Sequence, residues 1–224
     1  MCGRYSIAAE PQTLEQRFQA TFTVPFRPRY NAAPSQALPV ILNTAPDKIS
    51  IECWGLMPSW WQSKHNRADG LINIRAETLR DKTTFRFDLQ HRRCLVIADG
   101  FYEWKAEQAG KVPFRIRKPD GSPIAFAGLW EPMEPGKGSC TRRFAIITID
   151  ATPFMQPIHG RMPVILAPEE ERAWLAEENL ATLNAMLATP REPDLEAFEV
   201  SRAVNNAKID NPTLLDPVGT VETT

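Results

Sequence analysis

The chain has 224 residues, of which 43% are hydrophobic and 24% charged, and its formal net charge is −1. These values lie near the averages of globular proteins and exclude a fibrous or wholly disordered chain. No apolar run approaches the ~20 residues needed to cross a bilayer and no segment resembles a signal peptide, so we expect a soluble, cytoplasmic protein with one domain over residues 1–224.

Short runs rich in β-forming residues recur along the chain, bounded mostly by Pro, Gly, Asp or Asn. In chain order they are residues 38–42, 49–55, 94–99, 113–117, 124–130, 143–149 and 163–167. This pattern predicts an α+β fold whose β-dominated core is a mixed or antiparallel, barrel-like sheet flanked by a few helices. The Pro-Asp-Gly turn within residues 117–123 indicates a hairpin between two of the strands.

Helical periodicity is present in residues 11–20, around 76–90 and most clearly in 167–188. The last segment has Pro168 near its start, three glutamates in its first turn and Pro190 just beyond its end. Because these are the residues that favour helix starts and stops, one helix is predicted over the whole segment.

The two charge signs are segregated along the chain. Residues 1–164 hold 22 Lys and Arg against 15 Asp and Glu, whereas residues 165–224 hold 4 against 12. We therefore describe residues from about 167 to 224 as an acidic helical and tail segment. The arginine-rich part could face a polyanion. Ordinary solvated surface charge explains the same count.

The four cysteines show neither the spacing of a zinc site nor the density of a disulfide scaffold. Cys53 and Cys94 lie in strand-like apolar runs, where buried, inert thiols are expected. Cys140 lies in a polar loop. The pattern favours a reducing compartment.

Cys2 follows the initiator methionine directly. Its small side chain permits removal of Met1, which would leave a free α-amine and a thiol on one residue. The amine titrates near roughly 7.7–8.0 and the thiol near roughly 8.5, so both are reactive near neutral pH after modest tuning. The alternative is an ordinary residue in a frayed terminus.

Three further stretches combine polar residues with unusual surroundings. Trp60 and Trp61 adjoin a polar loop, where they could stack on nucleobases or belong to a core cluster. Glu103 lies between two aromatic residues in a strand-like run, so alternation places it on the opposite face, where burial would raise its pKa. A solvent-facing glutamate is the competing interpretation. His159 occupies a turn at the mouth of a buried strand.

The chain resembles the SOS-response-associated peptidase family, whose members crosslink to abasic sites in single-stranded DNA. The resemblance runs nearly end to end. Its motifs are MCGRY, RYNAAPSQ, WGLMPSWW, NIRAET, CLVIADGFYEWK, HGRMPVIL and VSRAVNNAK, in the family's order.

The resemblance implies a role for each matching residue. Cys2 would be the crosslinking residue, Asn73 would polarise the reacting centre, and Glu103 and His159 would move protons. The residues implied in DNA binding are Arg4, Asn31, Pro34, Trp60, Trp61, Arg75 and Arg161. The chain departs from the family at Gly160, where an acidic residue is usual, and at Ile74, where a small one is usual.

The expected activity is covalent capture of the ring-opened aldehyde of an abasic site as a thiazolidine on Cys2. We expect a monomer that acts on single-stranded DNA, associates with the nucleoid when bound, and uses neither metal nor cofactor. An N-terminal-nucleophile cysteine peptidase or amidohydrolase is the alternative enzyme. A non-catalytic single-strand binder is the alternative outside enzymes.

Overall fold

The computed structural model describes residues 2–58, 70–81, 85–134, 140–188 and 193–223. Two sheets face each other, and the main hydrophobic core lies between them. The predicted α+β fold with a β-dominated core is confirmed. No helix within the described ranges is long and apolar enough to span a membrane.

The first sheet has six antiparallel strands. In spatial order they are β15 (Pro217–Thr223), β14 (Glu196–Val200), β9 (Gly110–Arg117), β8 (Gly100–Glu107), β1 (Arg4–Ile7) and β3 (Arg29–Ala32). The final two strands of the chain therefore belong to this sheet, in the part that the sequence predicted as an acidic tail. Alternation explains this, because Phe198 and Val200 pack against Tyr102 on one face while Ala197 joins the main core on the other.

The second sheet curls into a ring. In spatial order its strands are β12 (Arg161–Pro163), β11 (Arg142–Asp150), β10 (Ile124–Pro132), β7 (Arg93–Ala98), β4 (Ala37–Leu42), β5 (Ala45–Trp54) and β2 (Thr21–Phe22), with β13 (Ile165–Leu166) beside β10 and β6 (Asn73–Arg75) beside β11. A parallel pairing of β11 with β5 closes the ring. The predicted barrel-like closure is therefore present in this sheet.

A disulfide joins Cys53 to Cys140 beside that closing seam. The prediction of a free, inert thiol at Cys53 was wrong. The two residues are 87 positions apart, and only the parallel pairing of β5 with β11 brings them together. Cys94 is a buried free thiol, as predicted.

The Pro-Asp-Gly turn does not form the predicted hairpin. It contains Gly121 with a φ of 69°, and the Gly121 amide donates to the Lys118 carbonyl at 3.0 Å. The strands on either side, β9 and β10, pair with different neighbours in different sheets. The turn therefore carries the chain from the first sheet to the second.

Five helices cover parts of the sheets within the described ranges. They are α1 (Pro11–Phe18), α2 (Ala76–Asp81), α3 (Arg86–His91), α4 (Pro168–Ala176) and α5 (Leu180–Ala188). The helix predicted over 76–90 is thus seen as α2 and α3, with residues 82–84 outside the described ranges.

The single helix predicted over 167–188 is two helices. The buried Arg93 guanidinium donates to the carbonyls of Trp174 at 2.7 Å, Leu175 at 3.1 Å and Glu177, so the end of α4 is capped by a side chain from β7. Asn179 then caps α5, because its Oδ1 accepts the amide of Ala181 at 2.8 Å. Sequence periodicity carries no sign of this tertiary cap.

Candidate active site

The four residues predicted as catalytic come from both sheets and meet at one end of the core. Cys2 precedes β1 and Glu103 lies on β8 of the first sheet, whereas Asn73 begins β6 of the second sheet and His159 precedes β12. Glu103 and His159 line a cleft of about 410 Å³ together with Gly3, the neighbour of Cys2. Gly3 and His159 are more than 150 residues apart in the sequence, and they line the same cleft because the two sheets face each other.

Cys2 is fully buried and tied to the second sheet. The amide nitrogen of Asn73 donates to the Cys2 carbonyl at 2.8 Å, and the Cys2 thiol makes a long contact of 3.6 Å with the Arg4 carbonyl. Burial raises the pKa of the thiol, and the negative charge of Glu103 raises it further. In this setting the sulfur is a neutral thiol at neutral pH.

Glu103 occupies the core face of β8, as alternation predicted. Phe101 faces the main core, whereas Tyr102 and Trp104 face the small outer cluster. The Glu103 side chain is 2% exposed, and burial raises its pKa. A carboxyl group in this state holds a proton closer to neutral pH, which is the requirement for a group that both gives and takes protons.

His159 lies across the cleft from Glu103. Its Nδ1 is 3.9 Å from Glu103 Oε1, and its side chain is 31% exposed. The same nitrogen is 3.0 Å from both the amide nitrogen and the carbonyl oxygen of Arg161. The ring is therefore held by backbone on one side while the rest of the imidazole reaches solvent and the cleft.

Asp99 sets the position of β1 against β8. Its Oδ1 accepts from Ser6 Oγ at 2.6 Å and from Arg115 Nη2 at 3.0 Å. Its Oδ2 accepts from the backbone amides of Ala8 and, at 3.0 Å, Ala9. All these groups are at or near the β1 strand that delivers Cys2, so this network holds the nucleophile-bearing strand in place.

The residues predicted to bind DNA have varied surroundings. Arg4 lines the cleft and donates Nη1 to the Val204 carbonyl at 3.0 Å. Asn31 is fully buried, and its amide nitrogen donates to the carbonyls of Val204, Asn206 and Ile209. Asn31 therefore holds the segment that carries the cleft residue Asn205 and is not exposed for direct contact with a ligand.

Arg161 is engaged by carboxylates. Its guanidinium forms a two-pronged ion pair with Glu77 at 3.0–3.1 Å and a further pair with Asp150 at 2.6 Å. Arg75 is exposed and Pro34 is half-buried in the turn after β3. Trp60 and Trp61 lie outside the described residues.

Three side chains that line the cleft, besides the glycine at position 3, were not predicted from the sequence: Trp104, Lys111 and Asn205. Trp104 adjoins Glu103, and Asn205 belongs to the VSRAVNNAK motif, so both stretches had been singled out without a role for these side chains. Lys111 follows the Gly110 turn and carries no motif signal.

The two departures from the family pattern are accommodated. A Cβ at Gly160 would meet nothing within 4 Å, so the glycine leaves the His159 turn open without relieving a clash. Ile74 is 2% exposed and packs into the core beside Ile147 of β11. Its larger side chain is thus part of the packing that seats Asn73.

The site combines a carboxyl of raised pKa and an imidazole in one cleft with the buried thiol of Cys2, whose neighbour Gly3 lines that cleft. That set can transfer protons to and from an electrophile held next to Cys2. Among the described residues, no group of three or more His, Cys, Asp or Glu is placed to hold a metal ion.

A family model described as SOS response associated peptidase (SRAP) matches residues 1–207. The chain belongs to this family. Among its relatives, the abasic site processing protein YoqW of Bacillus subtilis is 36% identical over 223 residues, which cover 96% of this chain and 99% of that protein. The abasic site processing protein YedK of Escherichia coli is 33% identical, covering 97% and 100%.

Solved structures share the fold of this chain. A protein from Bacteroides thetaiotaomicron superposes with a TM-score of 0.83 at 25% identity, covering 97% of this chain and 100% of that one. A phage-related protein from Bordetella bronchiseptica has a TM-score of 0.72 at 28% identity, covering 90% and 95%.

Proposed function

We propose that this protein processes abasic sites in single-stranded DNA by capturing the sugar covalently on Cys2. The observation that carries the proposal is that Glu103 and His159 line one cleft with Gly3, next to the buried Cys2 whose carbonyl accepts from Asn73. The names of the SRAP relatives, abasic site processing proteins, point to the same substrate.

The reaction begins with ring opening of the abasic deoxyribose. His159 takes the proton of the anomeric hydroxyl, and an acid returns a proton to the ring oxygen, which frees the aldehyde. Glu103 suits the acid role because burial raises its pKa above the ordinary value of a glutamate. The nearest atoms of the two groups, Nδ1 and Oε1, are 3.9 Å apart, which is too long for a direct hydrogen bond, so a hydroxyl of the bound sugar must carry the proton from His159 back to Glu103.

The α-amine of Cys2, exposed by removal of Met1, then adds to the aldehyde carbon. Loss of one water gives a Schiff base, and Glu103 supplies the proton that lets the hydroxyl leave. The thiol of Cys2 adds to the same carbon and releases its proton, closing a five-membered thiazolidine. One C=O bond is replaced by one C–N and one C–S bond, with a net loss of one water.

The buried thiol supports this order of events. Because the pKa of the Cys2 thiol is raised, little thiolate is present to act first, and the amine is the better initial nucleophile. The same feature disfavours the cysteine peptidase alternative, which needs a thiolate to attack an amide.

Asn73 would orient both reactants. Its amide nitrogen already holds the Cys2 carbonyl, and its Oδ1 is buried and has no partner among the described residues. An unsatisfied buried acceptor is costly, so an N–H of the processed amine or a hydroxyl of the opened sugar would stabilise the site by donating to it.

The test is incubation with single-stranded DNA that contains an abasic site, followed by a denaturing gel. We expect a covalent product from the parent and none from Cys2→Ala, with Cys94→Ala as the matched control for loss of a buried thiol. An adduct that persists in Cys2→Ala refutes the proposal. Release of peptides or ammonia from amide substrates without DNA would favour the hydrolase.

Lys111 sharpens this test because it is a second primary amine lining the cleft. A Schiff base on Lys111 would be trapped by borohydride, which adds two hydrogens, whereas a thiazolidine has no C=N bond to reduce. We expect Lys111→Ala to retain the adduct, and we expect borohydride to leave its mass unchanged.

A further inference from the structure

The cleft exists because β1 stops short of the end of β8. The last pair between these strands is Arg4 with Tyr102, whereas β8 continues to Glu107 on its other side with β9. Gly3, the residue before Arg4, adds no side chain. A notch is thereby left beside the uncovered edge of β8, and its lining includes Glu103 and Trp104 of β8 and Lys111 of β9.

The notch is larger than a single sugar requires. Its volume of about 410 Å³ falls in the roughly 300–1,000 Å³ range of pockets that hold drug-sized ligands. Glu103 and His159 occupy one end. Besides Gly3 and Arg4, the remaining lining comes from Trp104, Lys111 and Asn205, for which the proposed reaction has no use.

A hydrogen bond joins Trp104 to Asn205 at this second end. The indole nitrogen of Trp104 donates to Asn205 Oδ1 at 2.7 Å in an exposed position. An indole N–H is a donor only, so this bond determines which way the Asn205 amide is turned. The Asn205 NH₂ group has no partner among the described residues and remains available as a donor.

The same end carries positive charge. Lys111 and Arg4 both line it, and within the described parts of the chain neither has a carboxylate partner. Arg4 is held in place by its bond to the Val204 carbonyl, one residue before Asn205. Two cations beside a fixed aromatic side chain are suited to a phosphate with a neighbouring base.

We propose that Trp104, Asn205 and Lys111 form a subsite for the nucleotide next to the lesion. Its base stacks on the Trp104 indole, an acceptor on its edge receives the Asn205 amide, and its phosphate lies between Lys111 and Arg4. This subsite rests on the proposed function, since it assumes that the lesion sugar occupies the Glu103 end.

The test is a binding cycle between one side chain and one base. Oligonucleotides carry a tetrahydrofuran, which cannot react, at the lesion position, and a second tetrahydrofuran removes the base on its 5′ or 3′ side. Dissociation constants are measured by fluorescence anisotropy for the parent, Trp104→Ala and Trp104→Phe.

Parent binding should weaken about 5- to 10-fold when the base is removed on one side, the lower end of the stacking range. Trp104→Ala should weaken similarly on intact DNA and lose its sensitivity to that base, whereas Trp104→Phe should keep most of it. Lys111→Ala should lower the affinity for both DNAs equally.

The matched control is Trp130→Phe, because the Trp130 indole donates to Asn43 at 3.0 Å elsewhere in the molecule. It should leave the cycle unchanged. If removal of the base, on either side, changes the dissociation constants of the parent and of Trp104→Ala by the same factor, the subsite is refuted. Because these DNAs cannot react, a parent that fails to crosslink abasic DNA refutes the proposed function and leaves the cycle interpretable.

Discussion

Two buried carboxyl groups lie four residues apart at the start of β8, and their surroundings differ. Asp99 is 6% exposed and has four described donors, including the Arg115 guanidinium. Glu103 is 2% exposed, faces an imidazole at 3.9 Å, and burial raises its pKa. The donors around Asp99 fix the position of its carboxyl group, whereas burial raises the pKa of Glu103, which favours proton transfer at that group.

Glu103→Gln should produce the largest effect on function. We expect the rate of adduct formation to fall about 10²- to 10⁴-fold, the usual loss when a proton-transfer group is removed. The free energy of unfolding should not fall, because a neutral amide avoids burying charge. Single-turnover crosslinking and urea denaturation measure the two quantities. An unchanged rate would remove Glu103 from the mechanism.

Asp99→Ala should produce the opposite pattern. Removing this carboxylate leaves the buried Arg115 guanidinium without its partner, which should lower the unfolding free energy by about 3–5 kcal/mol. The folded fraction should keep the proton chemistry of Glu103, seen as an unchanged pH profile of the crosslinking rate. A stable Asp99→Ala protein with an altered pH profile would show that Asp99 affects proton transfer and not stability, which contradicts the comparison.

Loss of the Cys53–Cys140 disulfide should have a smaller effect on stability. It encloses 87 positions, and its removal should cost about 2–4 kcal/mol. A reductant should therefore destabilise the parent but leave the Cys53→Ser/Cys140→Ser double variant unaffected. Equal response of both proteins to reductant would contradict the pairing. The crosslinking rate of the reduced protein also shows whether the disulfide helps to hold Asn73 in place, because Asn73 begins β6, which pairs with β11.

The smallest expected effect is on the pH dependence of stability. The pKa of Glu103 is raised in the folded protein, so the native state favours the protonated form. The parent should lose stability relative to Glu103→Gln as the pH rises from about 4.3, the ordinary value for glutamate, through the raised value. Denaturant titrations at several pH values test this. Parallel pH curves for the two proteins would mean that Glu103 is not desolvated.

Local patterns in the sequence predicted the face of Glu103 and most strands, because alternation and turn residues act over a few positions. They did not predict the Cys53–Cys140 disulfide, the cap from Arg93 at the end of α4, or the position of Lys111 in the cleft. Each of these depends on partners more than 80 residues away or on a cleft formed where one strand ends.

The same contrast between local sequence motifs and contacts of distant residues applies to the candidate site. Cys2, Asn73, Glu103 and His159 stand in motifs with a family resemblance, so they could be named before any geometry was known. Trp104 and Asn205 stand in the same motifs, but their pairing across the sheet edge depends on where β1 ends.

The central claim is that the mature Cys2 presents its amine and its thiol to one carbon of the lesion. Mass spectrometry of the trypsin-digested adduct tests it most directly. The account predicts an N-terminal peptide that begins at Cys2, ends at Arg4 and carries the abasic fragment with the loss of one water, unchanged by borohydride. An adduct on a peptide that retains Met1, or on Lys111, would contradict it.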